Sequence, residues 1–266
     1  MYLTSIANPR IKAAAKLKER RERERSGLFL IEGHRELERA LAAGIKVVEA
    51  YCALELGPDE ARVVEELESQ QRSPVNRVSE AVLKKLSTRE NPAGVVAVAR
   101  MPNPSLADFK PPPNALLLVA VGLEKPGNLG ALLRSADAAG AHAVLVAGGV
   151  DVYSPQVIRN STGVVFSQPT YVASEQKLLE WLEEHPIRLV ATTPHADQTY
   201  WDADLRGPVA IVLGPEHTGL SPEWLHRADL EVRIPMQGEA DSLNVSVTAA
   251  LMLFEAVRQR RGSGAT

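Results

Sequence analysis

The sequence predicts an α/β protein of two domains, with a parallel sheet in the C-terminal one. Two observations carry this prediction. In the second half of the chain, short apolar runs alternate with helical segments, as in parallel sheets that helices cover on both faces. Between the halves, the stretch MPNPSLADFKPPPN holds five prolines, which fix φ and remove backbone donors. The predicted domains are therefore residues 1–100 and 115–266, joined by an extended linker at 101–114.

The first half is predicted to be a small α/β domain. A basic helix comes first and is followed by a strand, GLFLIEG, at residues 27–33. The next helix ends at Gly44, because glycine is favoured just after a helix C-terminus. The remaining predicted elements are a strand at 45–53, helices near 59–70 and 79–86, and a strand at 93–100.

The second half alternates more regularly, and its strands are short and almost continuously apolar. Such strands indicate burial on both faces of a sheet. Strands are predicted at 115–121, 141–148, 188–193, 208–214 and 230–234. Helices are predicted at 130–139, 155–162, 175–184, 221–226 and 243–260. The fold that follows is an open parallel sheet.

Composition limits the classes of protein that fit. Hydrophobic residues make up 45% of the 266 residues, enough for sizeable cores. The single cysteine, Cys52, excludes a disulfide framework and a cysteine-based metal site, and it is typical of a reducing compartment. The six histidines lack metal-ligand spacing, so no metal is expected. There is no signal-peptide pattern and no membrane-length apolar run, so we expect a soluble, cytoplasmic protein without a membrane partner.

Charge is distributed unevenly along the chain. Residues 1–35 contain nine Lys or Arg and four Glu, a net charge of +5, whereas the whole chain carries −3 and the remainder therefore −8. A basic N-terminal arm on an acidic body indicates binding to nucleic acid. The alternative is a solvated helix, because the acidic and basic residues of KERRERER can pair along one helix face.

In an open parallel sheet, ligands bind beyond the carboxyl ends of the strands. Three polar, glycine-rich loops are predicted there, after the first, fourth and fifth strands of the second half. The third loop, IPMQGEADSLNVS, leads into the last helix. Asp241 and Ser242 are placed to cap that helix, and Ser242 and Asn244 lie where its free N–H groups and positive dipole end favour a polar ligand. The alternative is an ordinary capped core helix.

The first loop does not fit the common nucleotide-binding patterns, because its glycines lack the G-x-G-x-x-G spacing and no Lys-Ser/Thr pair completes a P-loop. Its polar candidates are Asn128, which can cap the following helix, and Arg134 inside that helix. The arginine is either a surface residue or a charge held for a purpose. In the second loop, Gly214 and Gly219 flank Glu216 and allow a ligand to approach the backbone closely. The alternative there is a plain turn with a surface acid.

Taken together, the three loops resemble the three signature motifs of the SpoU/TrmH family, RNA 2′-O-ribose methyltransferases of the SPOUT superfamily. The motifs are N-x-G-x-x-x-R from Asn128 to Arg134, L-G-x-E-x-x-G-L from Leu213 to Leu220, and I-P-M followed by S-L-N-V-S from Ile234 to Ser246. Their order and spacing agree across residues 115–260. The first half is similar to the ribosomal-protein-like RNA-binding module of the family's two-domain members, on the segments 8–12, 29–41 and 90–100.

The resemblance implies a fold and an activity. The C-terminal domain would contain a deep trefoil knot, an exception to the rule against threaded chains, and would bind S-adenosylmethionine. The protein would methylate a ribose 2′-oxygen of RNA, with large-subunit ribosomal RNA as the leading substrate. The alternatives are a tRNA substrate and a non-catalytic RNA-binding protein. A homodimer is also implied, with the last helix, residues 243–260, as its interface. The alternative for this apolar helix is burial inside one subunit.

The resemblance also assigns residues. Arg134 would stabilise the developing alkoxide of the 2′-oxygen, from the same or the neighbouring subunit, since an arginine with a pKa above ~12 is a poor base. Asn128, Glu216, Ser242 and Asn244 would orient Arg134, the ribose or the cofactor. The cofactor-binding candidates are Thr192, Leu213, Gly214, Gly219, Ile234, Met236 and Leu243. The RNA-binding candidates are Arg10, Lys12 and Arg159, and the alternative for Arg159 is an ordinary helix-surface arginine.

Overall fold

The computed structural model describes residues 2–71 and 73–262. The chain divides into two compact units. Unit 1 comprises Met1–Asn103 and Asp151–Ser167, and unit 2 comprises Pro104–Val150 and Gln168–Thr266. The first boundary lies within the proline-rich segment that the sequence indicates as a linker. The segment from residue 151 to 167, which the sequence assigns to the second domain, groups with unit 1 instead.

Strands and helices alternate along most of the chain. The strands are β1 (Tyr2–Leu3), β2 (Leu28–Glu32), β3 (Val47–Cys52), β4 (Val75–Val78), β5 (Val95–Arg100), β6 (Leu116–Val121), β7 (Ala143–Ala147), β8 (Thr170–Ala173), β9 (Arg188–Thr192), β10 (Val209–Leu213) and β11 (Leu230–Val232). The α-helices are α1 (Pro9–Lys16), α2 (Arg20–Ser26), α3 (His34–Ala42), α4 (Pro58–Glu66), α5 (Glu80–Leu86), α6 (Pro126–Ala138), α7 (Pro155–Asn160), α8 (Glu175–Glu183), α9 (Pro222–Arg227) and α10 (Val245–Gly262). The sequence-based assignment lacks β1, β4 and β8, which are short and only partly buried.

Unit 1 is built on a mixed sheet. Among the described residues its strand order is β1-β4-β3-β5-β2, with β5 antiparallel to both of its neighbours and the other pairs parallel. Helix α1 begins where the Asn8 side chain accepts a hydrogen bond from the Arg10 N–H and Pro9 occupies the first turn. One core of this unit contains Leu3, Ile11, Ala14, Leu17, Leu30, Tyr51, Val82, Leu86 and Val96.

The segment Asp151–Ser167, here called the excursion, connects two neighbouring strands of unit 2, β7 and β8. It contains α7 and a 3-10 turn at Val164–Phe166. The rings of Tyr153 and Phe166 both pack against Phe29 of β2, with centroid distances of 5.5 and 5.8 Å. The sequence pattern does not reveal this, because α7 stands where a helix covering the parallel sheet is expected.

Unit 2 contains the parallel sheet that the sequence predicts. Within the part of the chain that the structure describes, six strands pair in the order β11-β9-β10-β6-β7-β8, all in parallel. β6, β7 and β10 are buried throughout, as expected for strands with both faces covered. Because the strands run in one direction, their carboxyl ends share one edge of the sheet. Strand order does not determine whether the chain passes through a loop of its own, so the trefoil knot stays a prediction.

Helix α6 begins earlier than the sequence indicates. It starts at Pro126, directly after Lys125, and proline is favoured in the first turn because its missing N–H has no partner there anyway. Asn128 therefore lies inside the first turn of the helix. The expectation that Asn128 caps this helix is wrong.

Helix α10 begins later than expected. It starts at Val245, and Asn244 caps it: the Asn244 Oδ1 accepts a hydrogen bond from the Ser246 N–H at 3.0 Å. Asp241 and Ser242, the expected caps, lie in the loop before it. Ser242 therefore does not cap α10, and Asn244 has the structural role of its N-cap.

Candidate active site

A cavity of about 750 Å³ lies at the carboxyl edge of the unit 2 sheet, within the ~300–1,000 Å³ range of small-molecule sites. Most of its walls come from three segments: residues 192–195 at the end of β9, residues 213–220 at the end of β10, and residues between 234 and 248 after β11. Leu225 of α9 completes them. The seven cofactor-binding candidates all line it: Thr192, Leu213, Gly214, Gly219, Ile234, Met236 and Leu243. Glu216 and Ser242 lie on the same walls.

The second loop folds tightly back on itself at Gly214. A Cβ atom at this position would lie 2.6 Å from backbone atoms of Gly219 and Leu220, closer than side chains allow. Gly219 has a φ of 66°, and its N–H donates to the Pro215 carbonyl at 3.0 Å. The two glycines therefore permit a turn whose wall is backbone, which lets a ligand approach the chain closely.

Two buried polar atoms of residues on the cavity walls have no hydrogen-bond partner among the described residues. They are Thr192 Oγ1 and Glu216 Oε1. Buried polar atoms are almost always paired, and leaving one unpaired costs about 1–3 kcal/mol. Because both residues line the cavity, these two atoms indicate that a polar ligand supplies the missing partners.

Glu216 also connects the second loop to the first. Its Oε2 lies 2.9 Å from Nζ of Lys125, whose side chain is 63% exposed. An ion pair with one partner so exposed contributes little to stability, but it orients the carboxylate. Sequence reasoning missed Lys125, because its partner is far away in the chain and the lysine stands outside the motif positions.

The first and third loops meet through two asparagines. The Asn244 Nδ2 donates a hydrogen bond to the Asn128 Oδ1 at 3.1 Å. The Asn244 Oδ1 accepts from the Ser246 N–H at 3.0 Å and from the Ser246 hydroxyl at 2.6 Å. The Asn128 Nδ2 is buried and has no partner among the described residues. One amide donor is thus left for a ligand at the point where α6 and α10 begin.

Arg134 does not lie on the cavity walls. It is exposed on α6, six residues beyond Asn128 and therefore about 9 Å further along the helix axis. Its guanidinium forms no hydrogen bond or ion pair with the residues that the structure describes. The structure thus places Glu216 and Ser242 on the cavity walls. It joins Asn128 to Asn244 by a hydrogen bond outside those walls, and Arg134 belongs to neither pair.

Several wall residues were not predicted. They are Thr193, Pro194, His195, Pro215, His217, Thr218, Leu220, Leu225, Asp241, Val245 and Thr248. The predicted site residues are motif positions, whereas most of these eleven residues are the neighbours of those positions in the same loops. The available signal was their place directly after a buried strand, since everything in such a loop faces the same edge of the sheet.

The cavity suits S-adenosylmethionine, the cofactor that the resemblance implies. Leu213, Ile234 and Met236 offer apolar surface for a purine ring. The unpaired carboxylate oxygen of Glu216 accepts hydrogen bonds from hydroxyl or amine groups, and the Thr192 hydroxyl both donates and accepts. The donor set therefore matches a ligand that combines a flat apolar ring with hydroxyl and amine groups.

The three RNA-binding candidates all belong to unit 1. Arg10 forms an ion pair with Glu49, and this hydrogen bond raises the pKa of the guanidinium above its ordinary value. Lys12 is exposed on α1, and Arg159 is half-buried on α7. Neither has a hydrogen bond or ion pair within the described ranges, so both cations are available to a ligand, whereas Arg10 is already engaged.

No group of three or more His, Cys, Asp or Glu side chains is arranged to hold a metal ion within residues 2–71 and 73–262. None of the helices in these ranges is long and apolar enough to cross a membrane.

A parallel sheet with a small-molecule cavity at its carboxyl edge defines the class of α/β proteins that bind a small ligand beyond the ends of their strands. Within that class, the chain belongs to the SpoU rRNA methylase family, whose model matches residues 115–254. A second family model, the MRM3-like substrate binding domain, matches residues 8–97. The residues 98–114 between the two matches include the linker segment.

Relatives match along nearly the whole chain. The 23S rRNA (uridine(2479)-2′-O)-methyltransferase of Streptomyces viridochromogenes is 37% identical over 92% of this chain and 88% of its own length. The 23S rRNA (guanosine(2553)-2′-O)-methyltransferase of Bacillus subtilis strain 168 is 30% identical over 95% of this chain and 97% of its own.

Solved structures match as completely. A crystal structure of an RNA 2′-O ribose methyltransferase is 62% identical, covers 97% of this chain and 99% of its own, and has a TM-score of 0.87. The SpoU methyltransferase AviRb from Streptomyces viridochromogenes, in complex with the cofactor AdoMet, is 35% identical over 97% and 99% of the two chains, with a TM-score of 0.89.

Proposed function

We propose that the protein transfers a methyl group from S-adenosylmethionine to a ribose 2′-hydroxyl of large-subunit ribosomal RNA. The cavity in unit 2 carries this proposal, because all seven cofactor candidates line it and polar atoms of Thr192 and Glu216 lack protein partners there. A relative of the same fold was crystallised with AdoMet. The cytoplasm is the compartment in which we expect the enzyme to meet its RNA.

Ribosomal RNA is favoured over tRNA by the two relatives named above. The two relatives named for 23S rRNA align over 92% and 95% of the chain and therefore include unit 1. A solved structure described as methylating C/U34 on tRNA covers 57% of the chain. A non-catalytic role is disfavoured, since the polar residues of all three motifs are present.

The reaction asks the protein for positioning and for charge stabilisation. When bound, S-adenosylmethionine supplies an activated methyl group for in-line attack by the 2′-oxygen. The cavity walls hold the cofactor. The Asn128–Asn244 pair, two residues along the chain from Ser242 on those walls, fixes amide groups for the ribose. The positive charge of Arg134 stabilises the oxygen as it loses its proton to water. Such positioning alone can lower a barrier by ~7–11 kcal/mol.

We further propose that the enzyme is a homodimer through α10. Val247 and Phe254 are 45% and 49% exposed, and a spacing of seven residues puts them on one face of the helix, next to half-buried Leu251. The resemblance implies that a second copy of the chain covers this face. In such a dimer, Arg134 of one subunit acts on the 2′-oxygen of an RNA bound at the cavity of the other subunit. Sedimentation should show a dimer that Phe254→Asp converts to a monomer. A monomeric native protein would overturn this part.

The central test uses the full-length protein. Calorimetry should detect binding of S-adenosylmethionine, and the protein should then transfer a labelled methyl group to ribosomal RNA from cells that lack the gene. Mapping of 2′-O-methyl positions identifies the nucleotide. Absence of cofactor binding would contradict the proposal, and transfer to tRNA alone would select the alternative substrate.

A further inference from the structure

The excursion is tied firmly into unit 1. At its start, Arg23 forms an ion pair with Asp151, with Nη2 and Nε lying 2.6 and 2.7 Å from the same carboxylate oxygen. The arginine is 3% exposed, so this pair is shielded from water. Together with the ring contacts on Phe29, the ion pair holds both ends of the segment against unit 1.

Its middle is held by Arg39 of α3. The Arg39 Nη1 donates hydrogen bonds to the Thr162 carbonyl at 2.6 Å and to the Thr162 hydroxyl at 2.8 Å. Thr162 has a φ of 54° and is the sole non-glycine residue with positive φ in the described part of the chain. This region is unfavourable for a β-branched residue. The two hydrogen bonds from Arg39 therefore stabilise a turn that threonine would otherwise avoid.

The turn also lies directly on α3. Gly163 is buried with a φ of 82°, and a Cβ atom there would lie 3.0 Å from the Glu36 Cα and 3.3 Å from the Arg39 Cβ. A backbone hydrogen bond connects the turn to α7, since the Thr162 N–H donates to the Arg159 carbonyl at 2.9 Å. Thr162 thus connects Arg39 to Arg159, because it hydrogen-bonds to both.

We propose that the excursion is part of the RNA-binding surface of unit 1, that Arg159 contacts an RNA phosphate, and that Arg39 is the positioning residue for this contact. The inference rests on the proposed function. It extends the substrate-reading surface beyond residues 8–97, the range that the substrate-binding model matches. Arg159 supplies the contact because its charge has no partner among the described residues, whereas the charge of Arg39 is engaged with Thr162.

The first test is Arg39→Ala in the full-length enzyme. We expect KM for an rRNA fragment to rise about tenfold, the scale of one lost phosphate contact, with kcat and the Kd of S-adenosylmethionine unchanged. Arg35→Ala is the matched control, because it removes the same charge from an exposed position of the same helix. Equal effects of the two variants would mean that net charge, not positioning, sets KM, and would overturn the assignment of Arg39.

Two double variants separate positioning from a general structural role. Arg39→Ala should add nothing in an Arg159→Ala background, because both changes remove one contact. Thr162→Gly should restore KM in the Arg39→Ala background, since glycine adopts the turn without strain. Additive losses, or no rescue by glycine, would overturn the inference. If Arg39→Ala fails to fold, Arg39→Lys keeps one donor and should give an intermediate KM.

RNA binding measured by fluorescence anisotropy over a range of salt concentrations gives a readout that does not need catalysis. Arg159→Ala should reduce the slope of log K against log [salt] by about 0.7–0.9, the value for one phosphate. An unchanged slope would overturn the Arg159 contact. If the native protein binds RNA through Arg159 but methylates none, the proposed function fails and this inference stands.

Discussion

The two units differ in how they satisfy buried polar side chains, and those of unit 1 all have partners among the residues that the structure describes. Its buried Glu32 accepts hydrogen bonds from the Ser87 hydroxyl and from the Thr88 N–H and hydroxyl. Its buried Arg23 pairs with Asp151. Among the described residues, no buried side-chain nitrogen or oxygen of unit 1 lacks a partner. These charges are therefore structural, although Arg23 and Glu32 lie within residues 1–35, the segment that the sequence indicates as a basic arm.

Unit 2 leaves four such atoms unpaired within the described ranges: Asn128 Nδ2, Arg188 Nε, Thr192 Oγ1 and Glu216 Oε1. Three of them belong to the motif loops or to the strand end beside them. The fourth belongs to Arg188, which lines a separate cavity of about 490 Å³. Buried charges that have all their partners are therefore structural. The atoms that point to a ligand are those of Thr192 and Glu216, because both residues line the cavity that also holds the cofactor candidates.

Breaking the buried ion pair of unit 1 should have the largest effect on the free energy of unfolding. Arg23→Ala leaves the Asp151 carboxylate without its cation and removes the donors to the Leu17 and Lys18 carbonyls. We expect the free energy of unfolding of unit 1 to fall by ~3–5 kcal/mol, the scale for removing one partner of a buried ion pair. Circular dichroism in a urea titration measures the loss.

Two comparisons keep this result interpretable. All three tryptophans, Trp181, Trp201 and Trp224, lie in unit 2, so tryptophan fluorescence reports that unit and tests whether the two unfold together. Arg25→Ala removes an exposed arginine of the same helix, paired with Glu22 at 2.7 Å, and should leave the titration unchanged. An equally small effect of Arg23→Ala would contradict the structural role of the buried pair.

The next effect concerns a charge that is unpaired and exposed. Arg134→Ala should lower kcat by about 10²–10³-fold, the scale for losing one donor to a developing oxyanion. The Kd of S-adenosylmethionine should change little, because Arg134 does not line the cavity. Single-turnover methylation and calorimetry measure the two quantities. Full activity in this variant would remove Arg134 from the mechanism and leave the Asn128–Asn244 pair as the polar centre of the site.

The part of the site that follows strand ends could be predicted from the sequence. Thr192 and Leu213 terminate apolar runs, and Ile234 follows a third, so parallel pairing alone places them at one edge. What periodicity cannot supply is long-range partnership. The Asn244–Asn128 hydrogen bond joins residues 116 positions apart, and no local pattern specifies it. The predicted starts of α6 and α10 were wrong for a related reason, since any of several neighbouring polar residues can cap a helix.

The excursion shows the same limit at the level of the fold. Val157 and Ile158 of α7 are buried, and their apolar pattern is the one expected of any helix that covers a sheet. An amphipathic pattern predicts that one face of a helix is buried, but it does not show against which core that face packs. A cut at residue 100 therefore does not isolate the catalytic domain, because it removes Arg23, Phe29 and Arg39 from their partners in the excursion. Point variants test the two units more cleanly than truncation does.

The smallest expected effect is the sharpest test of the difference between the units. Thr192→Val replaces an unpaired buried hydroxyl by a methyl group of nearly the same size. Without cofactor, the free energy of unfolding should rise by about 1 kcal/mol, because the cost of burying an unpaired hydroxyl disappears. With cofactor, the Kd of S-adenosylmethionine should increase about tenfold, or 1.4 kcal/mol. Stability and affinity thus change in opposite senses.

Thr170→Val is the matched control within unit 2. The Thr170 hydroxyl is buried and donates to the Gln168 carbonyl at 2.9 Å, so its removal should lower the free energy of unfolding by about 1 kcal/mol and leave the Kd unchanged. Calorimetric titration and urea unfolding of both variants measure the four quantities. If Thr192→Val also destabilises the protein and leaves the Kd unchanged, the unpaired hydroxyl does not mark the cofactor site, and the difference between the units loses its functional meaning.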